Sequence, residues 1–388
     1  MTRAGAWRVG IDAGALANRQ DGSRNHVSNV LQALARIDPG GAYTVFLHAP
    51  PASNSVPVLP ALRQVQVPLT VGRWRVPLAT SLALMGTGID LLHVQFAAPI
   101  LCRVPLIVTV HDIMYEHYPE YYAPPDLTQL RRRVPRTVGQ ARLVLTGSEF
   151  SKQDLIARYG VRPERIAVTS NGVEPRFAPV RDDIVLSGIR ERVESPHGYI
   201  LFVGALKPNK NLHRLIESYA RLRETDRTRH KLVLAGASTD TLSTSLRTAI
   251  AASGFASDIV LPGYIADVDL PALYSAADLF VQPSLFEGFG LPPLEAMACG
   301  TAVVTSNTTS LPEVVGEAAL TVDPTDVEAL ARAMAAVLDN DSLRRDLEHA
   351  GIARASTFTW ERTARIVLDA YQTVAVEVQR GIMERAVQ

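Results

Sequence analysis

Residues 277–307 read ADLFVQPSLFEGFGLPPLEAMACGTAVVTSN. Leu279 to Pro283 is a short apolar run of the kind that forms a strand buried on both faces. Glu287-Gly288-Phe289-Gly290 is a glycine-bearing turn beyond that strand's C-terminal end. Pro292 and Pro293 are placed to open a helix, where a missing N–H costs little. That start predicts Glu295 in the first helical turn, Gly300 as the stop, and a new strand from Thr301. In open α/β sheets, ligands gather beyond the C-terminal ends of the strands. A helix N-terminus there offers free N–H groups and a positive dipole end to phosphate. Gly288 and Gly290 let the backbone approach a ligand closely. Glu287 and Glu295 then face a polyhydroxylated ligand that carries phosphate, because carboxylates accept pairs of sugar hydroxyls. A single Glu early in a helix is favoured by the dipole alone. Two of them bracketing G-F-G and Pro-Pro point to a site.

The same pattern of short apolar runs and amphipathic stretches extends in both directions. Runs start at Arg8, Tyr43, Leu91, Leu106, Leu143 and Ile166, and again at Tyr199, Lys231, Ile259, Leu279, Thr301 and Leu320. Stretches such as NLHRLIESYARLRE and DVEALARAMAAVL carry helix periodicity between them. This predicts an α/β chain with two doubly wound, parallel-sheet, Rossmann-like domains facing a cleft. The domains are set at 1–180 and 181–360, with a helical segment at 361–388 that packs back toward the first. Residues 1–180 hold 19 Lys+Arg against 12 Asp+Glu, so the remainder is acidic. Opposed charge of this kind would help two lobes close, and equally suits a chance distribution over solvated surfaces.

The whole chain of 388 residues balances 39 Lys+Arg with 39 Asp+Glu and is 47% hydrophobic. That balance excludes a dedicated nucleic-acid binder, which would be strongly basic, and an intrinsically disordered chain. The 2 cysteines, Cys102 and Cys299, lie in no metal-ligand spacing, so neither a disulfide framework nor a cysteine zinc site is expected. No signal-peptide pattern and no membrane-length apolar run is present. The expected location is cytoplasmic.

Three further segments bear chemistry. YILFVGALKPNKNLHRLIESY is a strand running to Gly204, then a polar loop with Lys207 and Lys210, then a helix. Cations at a strand end can compensate charge developing on a leaving diphosphate, although a loop lysine is also an ordinary solvated group. IVTVHD places His111 and Asp112 at the end of a buried strand, where a lone His is more often a structural residue than a catalytic one and Asp112 equally suits a turn cap. IDAGALANRQDGSRNH carries Gly14 and Gly22 in a loop opening onto a helix, a generic phosphate or acceptor loop with no G-x-G-x-x-G. The segment TQLRRRVPRTVGQAR presents Arg131, Arg132, Arg133 and Arg136. Its alternatives are a solvated helix face or a surface for peripheral contact with an anionic membrane.

Glu287-x(7)-Glu295 within EGFGLPPLEAMACG resembles the donor-site signature of the retaining glycosyltransferases of family 4, with the GT-B fold. GYIADVDLPALYSAADLFVQPS, SNTTSLPEVVGEAALTVDP, HDIMYEHYPEYY and LTGSEFSKQDLIARYGV are similar to its bacterial mannosyl- and rhamnosyltransferase branch. The resemblance implies a hexose transferred with retention from a nucleotide sugar, first GDP-mannose, to an acceptor sugar or lipid-linked glycan. It implies no cofactor and no metal. Glu295 would bind the ribose and Glu287 the transferred sugar. Backbone N–H groups around Phe289, Gly290 and Leu291 would meet the sugar and diphosphate, and the base would lie near Gly263-Tyr264-Ile265. His111 would lie by the transferred sugar, and Lys210, with Lys207, would face the diphosphate. An Arg frequent in the family before the loop lysine is Asn209 here, and the usual Gly-Ile-Gly-Arg-Tyr run is Gly22-Ser23-Arg24-Asn25-His26. The rival readings are a GT-B-like epimerase or phosphorylase and a non-catalytic nucleotide-sugar-binding protein.

Overall fold

In the computed structural model, residues 7–17, 22–48, 62–67, 81, 84, 86–225, 229–237 and 240–386 are described. The chain divides into two compact units, Met1–Gly172 with Trp360–Gln388, and Val173–Thr359.

The first unit carries β1 (Arg8–Asp12), β2 (Ala42–Leu47), β3 (Leu62–Gln66), β4 (Leu91–Gln95), β5 (Leu106–Thr109), β6 (Leu143–Thr146) and β7 (Ile166–Val168). All pair in parallel, in the order β3-β2-β1-β4-β5-β6-β7. Strand alternation sends Leu91, Ile107 and Leu145 to one face, under the helices Gly22–Ile37 and Trp360–Ala386. Leu92, Val108 and Val144 go to the other face, with Val134 and Val138 of the helix Pro124–Gln140.

The second unit carries β8 (Tyr199–Val203), β9 (Lys231–Ala235), β10 (Ile259–Gly263), β11 (Leu279–Gln282), β12 (Val303–Ser306) and β13 (Leu320–Val322). These are also parallel, in the order β10-β9-β8-β11-β12-β13. Phe280 and Val303 face the helix Leu291–Ala298. Val281 and Val304 face the helices Leu212–Glu224 and Val327–Leu338. Both sheets are thus doubly wound, and each reverses its strand order once, at β1/β4 and at β8/β11. Such switch points open a crevice at the strand ends, where ligands bind.

Two boundaries differ from the sequence reading. The units part between Gly172 and Val173 rather than at 180, because Phe177 is buried in the core of the second unit and Val173 N–H bonds Phe358 O at 3.0 Å. The C-terminal helix begins at Trp360. It buries Trp360, Ala364, Val367, Tyr371 and Val374 in the first unit's core, one stripe at helical spacing. β3 was not expected from the sequence. It is an edge strand, LRQVQ, with no fully buried position, so it lacks the continuous apolar run that marks the others.

Candidate functional site

The loops leaving β8 and β11 meet at the switch point of the second unit. Asn209 and Asn211 join them: Asn209 Nδ2 donates to Phe286 O (3.1 Å), Leu285 N–H to Asn209 O (2.8 Å), and Asn211 Nδ2 to Pro283 O (3.0 Å). Asn209, which stands where the family favours Arg, is buried and holds the acidic loop in place. Lys210 sits between the two asparagines. Its Nζ reaches Glu287 Oε1 at 2.5 Å, and the two side chains are each 13% exposed. The same oxygen accepts from Ser284 Oγ (2.6 Å) and Gln282 Nε2 (2.8 Å). No donor among the described residues reaches Glu287 Oε2.

The turn from Glu287 to Gly290 is fastened from the other side. Ser310 Oγ lies within hydrogen-bond distance of the carbonyls of Glu287 (2.8 Å) and Phe289 (2.7 Å), and its single proton is donated to one or shared between them. Glu287 N–H donates to Thr309 Oγ1 (3.2 Å). Gly290 is the helix N-cap at φ +120°, and a Cβ there would lie 2.8 Å from Leu311. Both geometry and space therefore require glycine. Among the described residues the N–H groups of Phe289, Gly290 and Leu291 have no partner, as a helix start leaves them. The ring of Phe289 is buried against Phe358, so only its backbone can serve a ligand.

Glu295 lies in the second helical turn rather than the first, because Leu291, not Pro292, is the first helical residue. It is buried, its Oε2 accepts from Tyr274 OH at 2.9 Å, and burial pushes its pKa up to about 7. The helix ends as expected. Gly300, at φ +76°, and Thr301 donate to Met297 O and Ala296 O, each at 3.0 Å.

Gly204 (φ +152°) closes β8 beside this loop pair, while Lys207 is exposed and meets no carboxylate among the described residues. At the end of β10, Gly263 (φ +76°) turns the chain. Tyr264 is 55% exposed and donates to Asp267 Oδ1 at 3.1 Å, whereas the side chain of Ile265 is buried in the core.

In the first unit His111 follows β5. Its ring lies edge-on to His26 (4.8 Å) and tilted to Phe96 (5.5 Å), and His26 in turn meets Trp360 (6.0 Å). His26 is fixed by Asn171 Oδ1 at 2.8 Å from its Nδ1. Burial holds His111 and His26 below the usual imidazole range and lowers His93 to about 3, so these rings are neutral near pH 7. Asp112 accepts from Met114 N–H (3.0 Å) and so serves as a turn cap. Gly14 N–H bonds Asp12 Oδ1 (2.9 Å), which also meets His48 Nε2 (3.1 Å). Gly22 opens the helix Gly22–Ile37; residues 18–21 of the same loop lie outside the described residues. Of the basic run, Arg131 pairs with Glu116 (3.1 Å), Arg133 is half-buried, and Arg132 and Arg136 are exposed.

Among the described residues no three His, Cys, Asp or Glu side chains could hold a metal ion, and no helix is long and apolar enough to cross a membrane. Gln282, Ser284, Ser310 and Tyr274 were not singled out from the sequence. The available signal was a polar residue closing an otherwise apolar strand, Gln282 after Leu279-Phe280-Val281.

Paired doubly wound units with ligand-poised switch points define the GT-B class of glycosyltransferase. Residues 20–177 match the model of Glycosyltransferase Family 4, and residues 190–354 that of the group 1 glycosyl transferases. The chain is 35% identical over 274 residues to the O-antigen chain mannosyltransferase B of Escherichia coli, covering 69% of this chain and 70% of that one. It is 31% identical over 226 residues to the serotype-specific mannosyltransferase WbdA of Escherichia coli, covering 58% of this chain but only 28% of that larger protein. The fold matches sucrose-phosphate synthase of Thermosynechococcus elongatus with a TM-score of 0.78 at 20% identity, over 96% of this chain and 100% of that one. It matches Anabaena HepE, solved with UDP and glucose, at 0.76 and 18% identity, over 95% and 100%. The chain belongs to glycosyltransferase family 4, in the branch that holds the bacterial mannosyltransferases.

Proposed function

We propose that the chain transfers a hexose, first mannose from GDP-mannose, to a sugar hydroxyl of a growing polysaccharide or lipid-linked glycan, with retention and without a metal. The observation that carries this reading is the Lys210–Glu287 pair, clamped between two loops beside an unpaired helix N-terminus. Glu295 accepts the ribose hydroxyls, and the unoccupied lone pairs of Glu287 Oε2 accept a hydroxyl of the sugar. Lys210 and the N–H groups of Phe289, Gly290 and Leu291 face the diphosphate. The bond from the anomeric carbon to the phosphate oxygen breaks with its electron pair passing to the diphosphate. These donors stabilise that charge as it develops. The acceptor oxygen bonds to the same face of the anomeric carbon and its proton passes to the departing phosphate. The identity with an O-antigen mannosyltransferase supports mannose and polysaccharide assembly. With a lipid-linked acceptor, exposed Arg132 and Arg136 would lie against anionic headgroups.

The test is proton NMR of the product formed from GDP-mannose and a mannose-terminated oligosaccharide in EDTA. An α-linked product with release of GDP supports the reading. A β-linked product overturns retention, and loss of all transfer on chelation overturns the metal-free course.

A further inference from the structure

We propose that Arg176 is a positioning residue of the second unit, fastening the loop after β10 and linking it to Glu295, so that nucleoside binding depends on it and the transfer step does not. The assignment rests on the reading that Glu295 and the loop from Gly263 receive the nucleoside. Arg176 lies in Glu174-Pro175-Arg176-Phe177, near the start of that unit. Phe177 N–H closes a turn on Glu174 O at 3.0 Å, and the turn brings the side chains of Glu174 and Arg176 together. Arg176 Nε and Nη2 donate to the two carboxylate oxygens of Glu174, at 3.1 and 3.0 Å. A planar fork held at two points has one orientation. It aims the remaining nitrogen, Nη1, at the backbone carbonyl of Asp267, to which it donates.

That carbonyl belongs to the loop after β10. Within residues 264–268 only the side chain of Ile265 is buried, while Tyr264 and Val268 are exposed. Tyr264 OH donates to Asp267 Oδ1 (3.1 Å) and Asp269 N–H to Ala266 O (2.9 Å), which gives the loop its shape. Arg192 ties its far end at Asp269 (2.7 Å), and Arg176 ties its middle.

A second chain of contacts runs from Arg176 to Glu295. Arg176 Cζ lies 4.7 Å from the centre of the Phe177 ring, that ring meets Tyr274 edge-on at 6.0 Å, and Tyr274 OH donates to Glu295 Oε2 at 2.9 Å. Glu295 Oε1 accepts from no described residue, so it is the oxygen left for a ligand. Burial raises Glu295, the Tyr274 hydroxyl and the Arg176 charge pull it back, and the charges of Glu174 and Asp267 oppose them. Cys299, pushed up to about 12 by burial and by Glu295, stays neutral there. One guanidinium thus joins the loop expected to meet the base to the carboxylate expected to meet the ribose. Its worth to the fold is small. Arg176 and Glu174 are 32% and 27% exposed, and ion pairs so open to water add little to stability. What the pair does fix is the place of a loop carbonyl and the sign of the charge near a buried acid.

Arg176→Met removes fork and charge at similar length. Arg176→Lys keeps the charge but cannot hold Glu174 and Asp267 at once. Melting temperature, calorimetric binding of GDP between about pH 6 and 9, and initial rates with GDP-mannose and a mannose-terminated oligosaccharide are measured for each. If wild type prefers UDP, ADP or dTDP, that nucleotide and its sugar take the place of GDP. For Arg176→Met we expect GDP affinity to fall about tenfold at pH 8, the donor KM to rise in step, and kcat at saturating donor to stay within about twofold. Ribose hydroxyls need an ionised Glu295, so wild-type affinity rises with pH; without the Arg176 charge that rise moves to higher pH. Arg176→Lys should keep the rise where wild type has it and lose only part of the affinity. Both should melt close to wild type. Wild-type affinity and pH profile in Arg176→Met overturn the assignment, as does a lowered kcat with unchanged donor KM. Should Arg176→Met not fold, wild-type affinity in Arg176→Lys overturns it instead. Weakened GDP binding in Glu295→Ala but not in Arg176→Met fails Arg176 alone. If wild type binds none of the four nucleotides, or Glu295→Ala binds as wild type does, the donor reading fails and takes Arg176 with it.

Discussion

At the β8/β11 switch point one carboxylate oxygen, Glu287 Oε1, collects an ammonium, an amide and a hydroxyl, and two asparagines fasten the loops that supply them. At the ends of β4 and β5, Gln95 Oε1 and His111 Nε2 are buried and have no hydrogen-bond partner among the described residues. The same sheet topology thus carries one site wired in advance and one left incomplete. The first presents a fixed charge pattern, as preorganised electrostatic stabilisation requires. The second holds neutral rings and unpaired buried atoms at a cost to stability.

The largest effect expected from this contrast comes from cutting the wired side. Lys210→Ala leaves the Glu287 carboxylate nearly buried without its cation, which should cost roughly 3 kcal/mol of stability together with a loss of turnover of at least about a hundredfold. Urea unfolding and initial rates measure both. A variant as stable as wild type would show that the pair braces nothing.

Next is Glu295. Its folded pKa, about 7, lies above the unfolded value, so stability is fullest at low pH and declines as pH rises through roughly 4.5 to 7. Glu295→Gln removes that dependence. It should raise the melting temperature at pH 8, where the native carboxylate costs on the order of 3 kcal/mol, and change it little at pH 4.5. An equal shift at both pH values contradicts the assignment.

The smallest effect belongs to the other unit. His93 is depressed to about 3, with His26 and His111 also lowered, so unfolding binds extra protons below pH 6.5. Hydrogen exchange at β4 and β5 should therefore quicken from pH 7 to pH 5, after correction for intrinsic rates, while β11 and β12 show no such loss. Equal behaviour of the two sheets would erase the distinction drawn here.

The two sites also differ in how far the sequence reveals them. Glu287, Gly290 and Glu295 lie within nine residues of each other, so turn, helix start and stop are read from local rules. Of the braces on Glu287, Gln282 and Ser284 lie in the same segment, whereas Lys210 after β8 and Ser310 after β12 come from others, and only Lys210 carries a charge that draws notice. In the first unit His111 was legible as a polar residue ending an apolar strand. Its surroundings were not, because His26, the Gln95-Phe96 pair and Trp360 come from three separate segments that only the strand order and the C-terminal helix bring together. The edge strand β3 escaped for a simpler reason: it is half-exposed, and its polar residues break the apolar signature.

Calorimetric titration of GDP-mannose into the wild-type protein and Glu295→Ala, in EDTA, tests the donor site most directly. A single saturable site per chain, weakened about tenfold by loss of the ribose-binding carboxylate, is the predicted result. Absence of saturable heat with GDP-mannose and with UDP-, ADP- and dTDP-sugars, or an affinity unchanged by Glu295→Ala, would contradict it.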